Sequence, residues 1–430
     1  MPKNSDIPIS SFHFLERTST SAPALANLEK EIHQVLDGLN VSAEKLEGRR
    51  IAVSVGSRGI ASLQEIVRGV CGWLKVQGAR PFIFPAMGSH GGATAEGQRK
   101  VLEDYGITPQ SVGAEVRSSM DAVFLGQTPE GFRVFMDRNA WESDGVMVMN
   151  RVKPHTDFSG GIESGLLKMM AVGMGKIDGA SEVHRWGWKF GFEKVLRAMS
   201  AVTLGSGKIL AGLAVVENEA HQICAARAAL PQSIVAQEES TLEMARGLVS
   251  RIPFPNLHLL IVDELGKNIS GAGMDTKVIG RGVEHQPGEA PDIRLIYVRD
   301  VTPESSGNAV GVGFADLIHE RLFRKIDFQK MYINARTSLN PEAASLPIYS
   351  ASDRDALNLA LGHLGSPDPD EQSIVWIRDT LQLSRMAISS RLAREAASLG
   401  GWRVTSESYE PEFDAAGNLT SMFEPKAALT

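Results

Sequence analysis

The feature that most constrains this chain is the alternation of short apolar runs with amphipathic stretches over residues 51–105. Ile51-Ala52-Val53-Ser54-Val55 is apolar enough for a buried strand and stops at Gly56-Ser57-Arg58-Gly59. Leu63, Ile66, Val67, Val70 and Leu74 then recur at helical spacing, and Gly78 supplies the stop. Phe82-Ile83-Phe84 is a second strand running into Gly88-Ser89-His90-Gly91-Gly92, and Thr94 stands where a second helix, ending at Gly106, needs its N-cap. Strand, helix, strand, helix with short joints predicts a parallel sheet, because parallel neighbours need a crossover that a helix supplies. Further strands are expected at residues 122–125, 133–136, 145–149 and 209–216, with helices at 25–36 and 232–249.

Pro253 and Pro255 break the pattern, and a near-continuous apolar strand restarts at residues 257–262. The expected division is a catalytic and cofactor-binding domain over residues 1–252 and a C-terminal domain over residues 253–430 closing a cleft. The second domain should hold strands at 293–298 and 374–377 and helices near 314–323 and 384–399. The fold class expected is α/β, with two α/β domains built on parallel or mixed sheets and the active site between them. A length of 430 residues allows roughly two or three domains. An apolar content of 43% builds a core without disulfide staples.

Composition also removes function classes. The 44 basic and 51 acidic residues give a formal charge of −7, and aromatic residues are only 6%, which argues against nucleic acid as a partner. Cys71 and Cys224 are too few for a thiolate cluster or a zinc ribbon and read as small buried apolar residues. Residues 1–11 are polar, without the apolar centre of a secretory leader, and no apolar run is long enough for a membrane span. A cytoplasmic protein with no membrane partner is expected.

Three polar loops follow apolar runs, where open parallel sheets bind ligands. The first carries Ser57 and Arg58, the second His90 and Thr94, the third Lys153-Pro154-His155-Thr156. None fits the dinucleotide or P-loop glycine pattern. The glycines around His90 permit close approach of backbone and ligand, although a lone histidine in a tight turn is as often a bystander. The third loop opens a denser segment that runs through Ser159-Gly160-Gly161, Lys168 and Lys176 to His184. Lys168 reads either as a snorkelling residue of a buried helix or as a nucleophile and amine anchor. His90, His155 and His184 lack the paired i, i+4 spacing of a zinc site. After the strand at 257–262, Lys267 in Gly266-Lys267-Asn268 is a candidate carboxylate binder, against a solvated turn.

Together the stretches 54–59, 88–94, 153–184 and 264–281 resemble the nickel-dependent lactate racemase family of 2-hydroxyacid racemases and epimerases. The resemblance implies a nickel pincer cofactor of the pyridinium-3,5-bisthiocarboxylic acid mononucleotide type, joined to a lysine, with nickel also bound by a histidine sixteen residues further on. Lys168 and His184 are 184 − 168 = 16 apart and match those roles. Lys176 is a competing anchor. His90 and His155 match the two acid/base histidines. Arg58 matches an arginine that binds cofactor or substrate anion, Ser57 and Thr94 fall at cofactor-binding positions, and Lys267 resembles the substrate-carboxylate residue. The second loop reads Gly-Ser-His-Gly-Gly-Ala-Thr where lactate racemases have Gly-Thr-His-Arg-Pro, and Lys168 stands further from Gly160-Gly161, so the chain resembles a divergent branch of the family. The implied partners are a small 2-hydroxy acid, lactate-like or a sugar acid, and the proteins that make the cofactor.

The chemistry suits these residue types. A C–H bond beside a carboxylate is a very weak acid, whereas removing hydride leaves a planar 2-keto acid. An electron-poor pyridinium accepts that hydride, the cofactor carrying the hard step. The hydroxyl proton must leave with it and return, and histidines near pKa 6.5 serve both directions. Two rival readings use the same residues: a divalent-metal hydrolase or lyase, and a non-catalytic binder of the nickel cofactor or a sugar acid. A pure binder has no use for both His90 and His155.

Overall fold

The computed structural model describes residues 7–423 except residues 58, 157, 283–289, 339 and 366. The chain divides into two compact units, one of residues 21–249 and one of residues 1–20 with 250–430. The first twenty residues thus part from the N-terminal domain expected over 1–252. Strand β1 (Phe12–Arg17) pairs antiparallel with two strands from the far end of the chain, and its Phe12, Phe14 and Leu15 are buried there. Its short FHFLER pattern identifies a strand only through the strands it pairs with.

The unit of residues 21–249 contains β2 (Arg50–Val55), β3 (Arg80–Pro85), β4 (Glu115–Val116), β5 (Ala122–Gln127), β6 (Arg133–Asp137), β7 (Gly145–Arg151), β8 (Ile209–Glu217) and β9 (Ile223–Ala229). Six of them form a sheet in the order β4-β3-β2-β7-β8-β9, parallel except at β8–β9, while β5 and β6 pair separately. β2 is buried from Ile51 to Val55 because both its faces are covered. Ile51, Val53 and Val55 pack with α1 (Leu28–Asp37) and α2 (Leu63–Val76), whereas Ala52 joins Phe84, Val148 and Leu166.

From β2 the chain proceeds to β3 and β4 on one side and later to β7 and β8 on the other. The loops leaving the carboxyl ends of β3, β2 and β7 are therefore neighbours at a reversal of strand order, the place where open α/β sheets bind ligands. The remaining helices that shape this edge are α3 (Ala95–Asp104), α4 (Lys176–Phe190), α5 (Phe192–Gly205) and α6 (Ile234–Gly247).

The other unit holds β10 (Asn256–Leu265), β11 (Asp292–Val301), β12 (Leu317–His319), β13 (Ile348–Ser350), β14 (Ile374–Ile377), β15 (Arg385–Ser389) and β16 (Trp402–Val404). Their order is β13-β12-β11-β10-β14-β15-β1-β16, parallel from β13 to β14 and antiparallel beyond. Two expected helices are corrected here. Residues 317–319 are strand, and α7 (Glu320–Lys325) starts only after His319, whose ring accepts the Arg321 N–H as an N-cap. The helix expected over 384–399 is β15 followed by α8 (Ser390–Ala396). Met386-Ala387-Ile388 is too short to reveal its period, and pairing with β1 and β14 settles it. Among the described residues, no helix is long and apolar enough to cross a membrane.

Candidate functional site

After β2 the chain turns at Gly56 and Ser57. A Cβ on Gly56 would sit 3.1 Å from the Met169 methyl, so this turn packs against the Lys168 segment. Tyr105 donates to the Ser57 carbonyl at 2.8 Å, and the Ser57 hydroxyl is 2.5 Å from His90 Nδ1. Arg58 lies outside the described residues. After β3, Gly88, Gly91 and Gly92 all take positive φ, between 57° and 65°, which is why this loop is glycine-rich. Gly88 N–H donates to the Gly173 carbonyl at 3.1 Å, a second tie to the Lys168 segment. His90 is exposed. Thr94 is an N-cap: its hydroxyl accepts from Gly97 N–H at 3.0 Å at the start of α3.

The third loop is closed by a bridge in which Lys153 and Ser164 exchange backbone hydrogen bonds. Inside it Glu163 is fully buried. Its carboxylate accepts the backbone N–H of His155 at 2.5 Å and of Gly160 at 3.3 Å, and it pairs with Arg246 of α6 at 2.7 Å. This wraps the loop around one charge and turns His155 toward Lys168. His155 Nε2 and Lys168 Nζ are hydrogen-bonded, and both residues are half-buried. The His155 ring stacks on Phe158 at 4.5 Å, Phe158 stacks on Phe192 at 5.2 Å, and the His184 ring meets Phe192 edge-on at 6.4 Å. One aromatic series thus connects the loop histidine to His184, which is exposed on α4. Phe192 lies so close to α4 that a Cβ on Gly187 would come within 2.3 Å of its ring.

Lys168 ends a single helical turn, Leu166–Lys168, that continues as a π-helical stretch, Met169–Gly173. Such wide turns concentrate at functional sites. Glu238 of α6 accepts Leu167 N–H at 2.8 Å, and Asn150 donates to the Gly165 carbonyl at 2.8 Å. The other Glu238 oxygen is buried without a partner, and burial pushes this carboxyl up to about 7. Lys176 is placed quite differently from Lys168. It is fully buried, bonds the Pro85 carbonyl at 2.5 Å and Gln98 at 3.1 Å, and pairs with Asp137 at 2.9 Å. Burial lowers the lysine pKa and raises that of Asp137, each pulled back by the other's charge.

Lys267 belongs to the other unit, in the turn after β10. Its ammonium bonds the Gly271 carbonyl, and its backbone N–H donates to Ser305 at 2.9 Å. Among the described residues, no three His, Cys, Asp or Glu side chains converge as a metal site. Sequence reasoning passed over Phe158, Phe192, Gln98, Glu163, Glu238 and Arg246. Only Glu163, an acid within a glycine-rich run, carried a local signal. The others reach the site from separate helices and turns.

Fold and site together define an α/β protein that presents two imidazoles on neighbouring loops at a strand-order reversal, an amine on the helical turn that follows, and a third imidazole on the adjoining helix. Residues 7–184 match the lactate racemase N-terminal domain family. Among solved structures the chain is similar to the lactate racemase apoprotein from Thermoanaerobacterium thermosaccharolyticum, at 13% identity and a TM-score of 0.47, covering 86% of this chain and 89% of that one. It is also similar to a Thermotoga maritima protein, at 14% identity and a TM-score of 0.48, covering 77% and 81% of the two chains. No curated protein matches it.

Proposed function

We propose that this protein is a cytoplasmic racemase or epimerase of a 2-hydroxy acid, working with a nickel pincer nucleotide tethered to Lys168. The observation that carries this reading is the contact between His155 and Lys168, joined through Phe158 and Phe192 to His184, inside a stretch matching the lactate racemase N-terminal domain. The residues present suit the cofactor. Lys168 is a half-buried amine able to carry an acyl bond, whereas Lys176 spends its ammonium on Asp137, Gln98 and Pro85. His184 offers one imidazole, on the exposed side of α4, as a ligand for the nickel.

When bound, that group supplies a hydride acceptor. The chain's own task is to move the hydroxyl proton and to hold the acid. His155, beside the tether, and His90, fixed at Nδ1 by Ser57, take and return that proton. Phe158 and Phe192 set two stacked rings beside His155 as an apolar surface for the substrate. Arg58 and Lys267 are assigned to anionic groups of cofactor and substrate, as their charge suits.

The test is co-expression with the cofactor-making enzymes, followed by intact mass and chiral analysis of a panel of hydroxy and aldonic acids. The expected result is a mass increase lost in Lys168→Ala and kept in Lys176→Met, with inversion that retains deuterium from the stereocentre. Full activity at unmodified mass, or free exchange of that deuterium with solvent, overturns the proposal. His184→Ala should stay folded and lose nickel.

A further inference from the structure

We propose that Gln98, aimed by the buried Lys176–Asp137 pair, is the positioning residue of His90. This rests on the reading of His90 as a proton carrier. The His90 loop is costly to hold. Gly88, Gly91, Gly92 and Ala93 all have positive φ, and Ala93 carries a Cβ into that region at 53°. Such backbone persists only where its surroundings hold it in place.

Gln98 does the holding from beneath. It is fully buried on α3, and its amide nitrogen donates to two carbonyls of the loop, Gly88 at 2.9 Å and His90 at 3.2 Å. Its amide oxygen accepts from Lys176 Nζ at 3.1 Å. An amide is otherwise free to turn end for end. Here the lysine decides, because an ammonium only donates and so must meet the oxygen, which directs the NH2 group at the loop. Lys176 Nζ donates to Pro85 O and Gln98 Oε1 and stands 2.9 Å from Asp137 Oδ2 as an ion pair. Asp137 is itself pinned, donating its backbone N–H to the Met174 carbonyl at 2.7 Å and accepting from Ala140 N–H at 3.1 Å. The chain of donors therefore runs one way, from the ion pair through Gln98 to the backbone of His90. Ser57 meets the ring from the other end. A proton carrier misplaced by about an ångström loses about a hundredfold in rate, so this orientation has a use beyond filling the core.

The informative variant is Q98E. It preserves shape and the acceptor for Lys176, and removes both donors to the loop. In cofactor-free protein the His90 imidazole 1H–15N signals should shift and its titration midpoint should move, with the melting temperature lowered by only a few degrees. In cofactor-loaded protein kcat should fall about 10- to 100-fold with KM changed less than about threefold. Q98M, lacking every hydrogen bond, serves as the second variant if Q98E does not fold, with the same signals read. Unchanged His90 signals in a folded variant, with or without a lower melting temperature, overturn the proposal. Moved His90 signals in a protein that inverts no hydroxy acid would leave the positioning role standing and remove the racemase reading instead.

Discussion

Glu238 and Lys176 show how much a single buried charge depends on its partners. Glu238 has one oxygen bonded to Leu167 N–H and the other buried without a partner, so the folded protein holds its proton up to about pH 7, against 4.5 for an ordinary glutamate. The folded state therefore binds this proton more tightly than the unfolded chain. The resulting stability is full below pH 4.5 and is lost as pH rises through about 7, a loss on the order of 3 kcal/mol. E238Q keeps an acceptor for Leu167 and has no proton to lose. Thermal scans from pH 4 to 8 should show the native protein falling relative to E238Q, and parallel curves would refute the assignment. Lys176 gives a second expectation. K176M strands a buried Asp137 carboxylate and should cost about 3–5 kcal/mol in chemical denaturation, while K176M/D137N recovers part of it. None of this was legible from residue types, since Lys168 and Lys176 share one Gly- and Met-rich run. They differ in which partners the folded chain brings to them.

At the scale of elements, α6 braces the segment that carries His155 and Lys168. Glu238 holds the turn beneath Lys168, and Arg246, further along the helix, holds Glu163 and the Gly160 carbonyl. R246A would leave Glu163 buried and uncompensated, so the loop between Lys153 and Ser164 should open. Hydrogen exchange at the amides of His155 and Gly160 should rise about tenfold or more, with the amides of β2 and β7 unchanged. Equal protection in the variant would show that the loop is held otherwise. The segment was conspicuous in the sequence for its glycines, histidines and lysines. Its brace was not, because a long amphipathic helix at 232–249 looks the same whether its buried carboxylate caps another helix or not.

For the whole molecule, the informative element is β1. It lies between β15 and β16, so residues 12–17 fill the interior of a sheet whose other strands begin at residue 256. Deleting residues 1–20 should unfold the unit of residues 250–430 and leave residues 21–249 cooperatively folded on their own two-faced core. Limited proteolysis with mass readout tests this, and continued protection of residues 250–430 would contradict it. Local pattern by itself determined the parallel sheet and the three polar loops that follow its strands, because strands buried on both faces are written as continuous apolar runs that neighbours along the chain cannot disguise. Tertiary structure alone decided where β1 pairs, that 385–389 is strand rather than helix, and which lysine meets His155. Those outcomes depend on groups far apart in sequence, whose pairing energies leave no trace in the spacing of nearby residues.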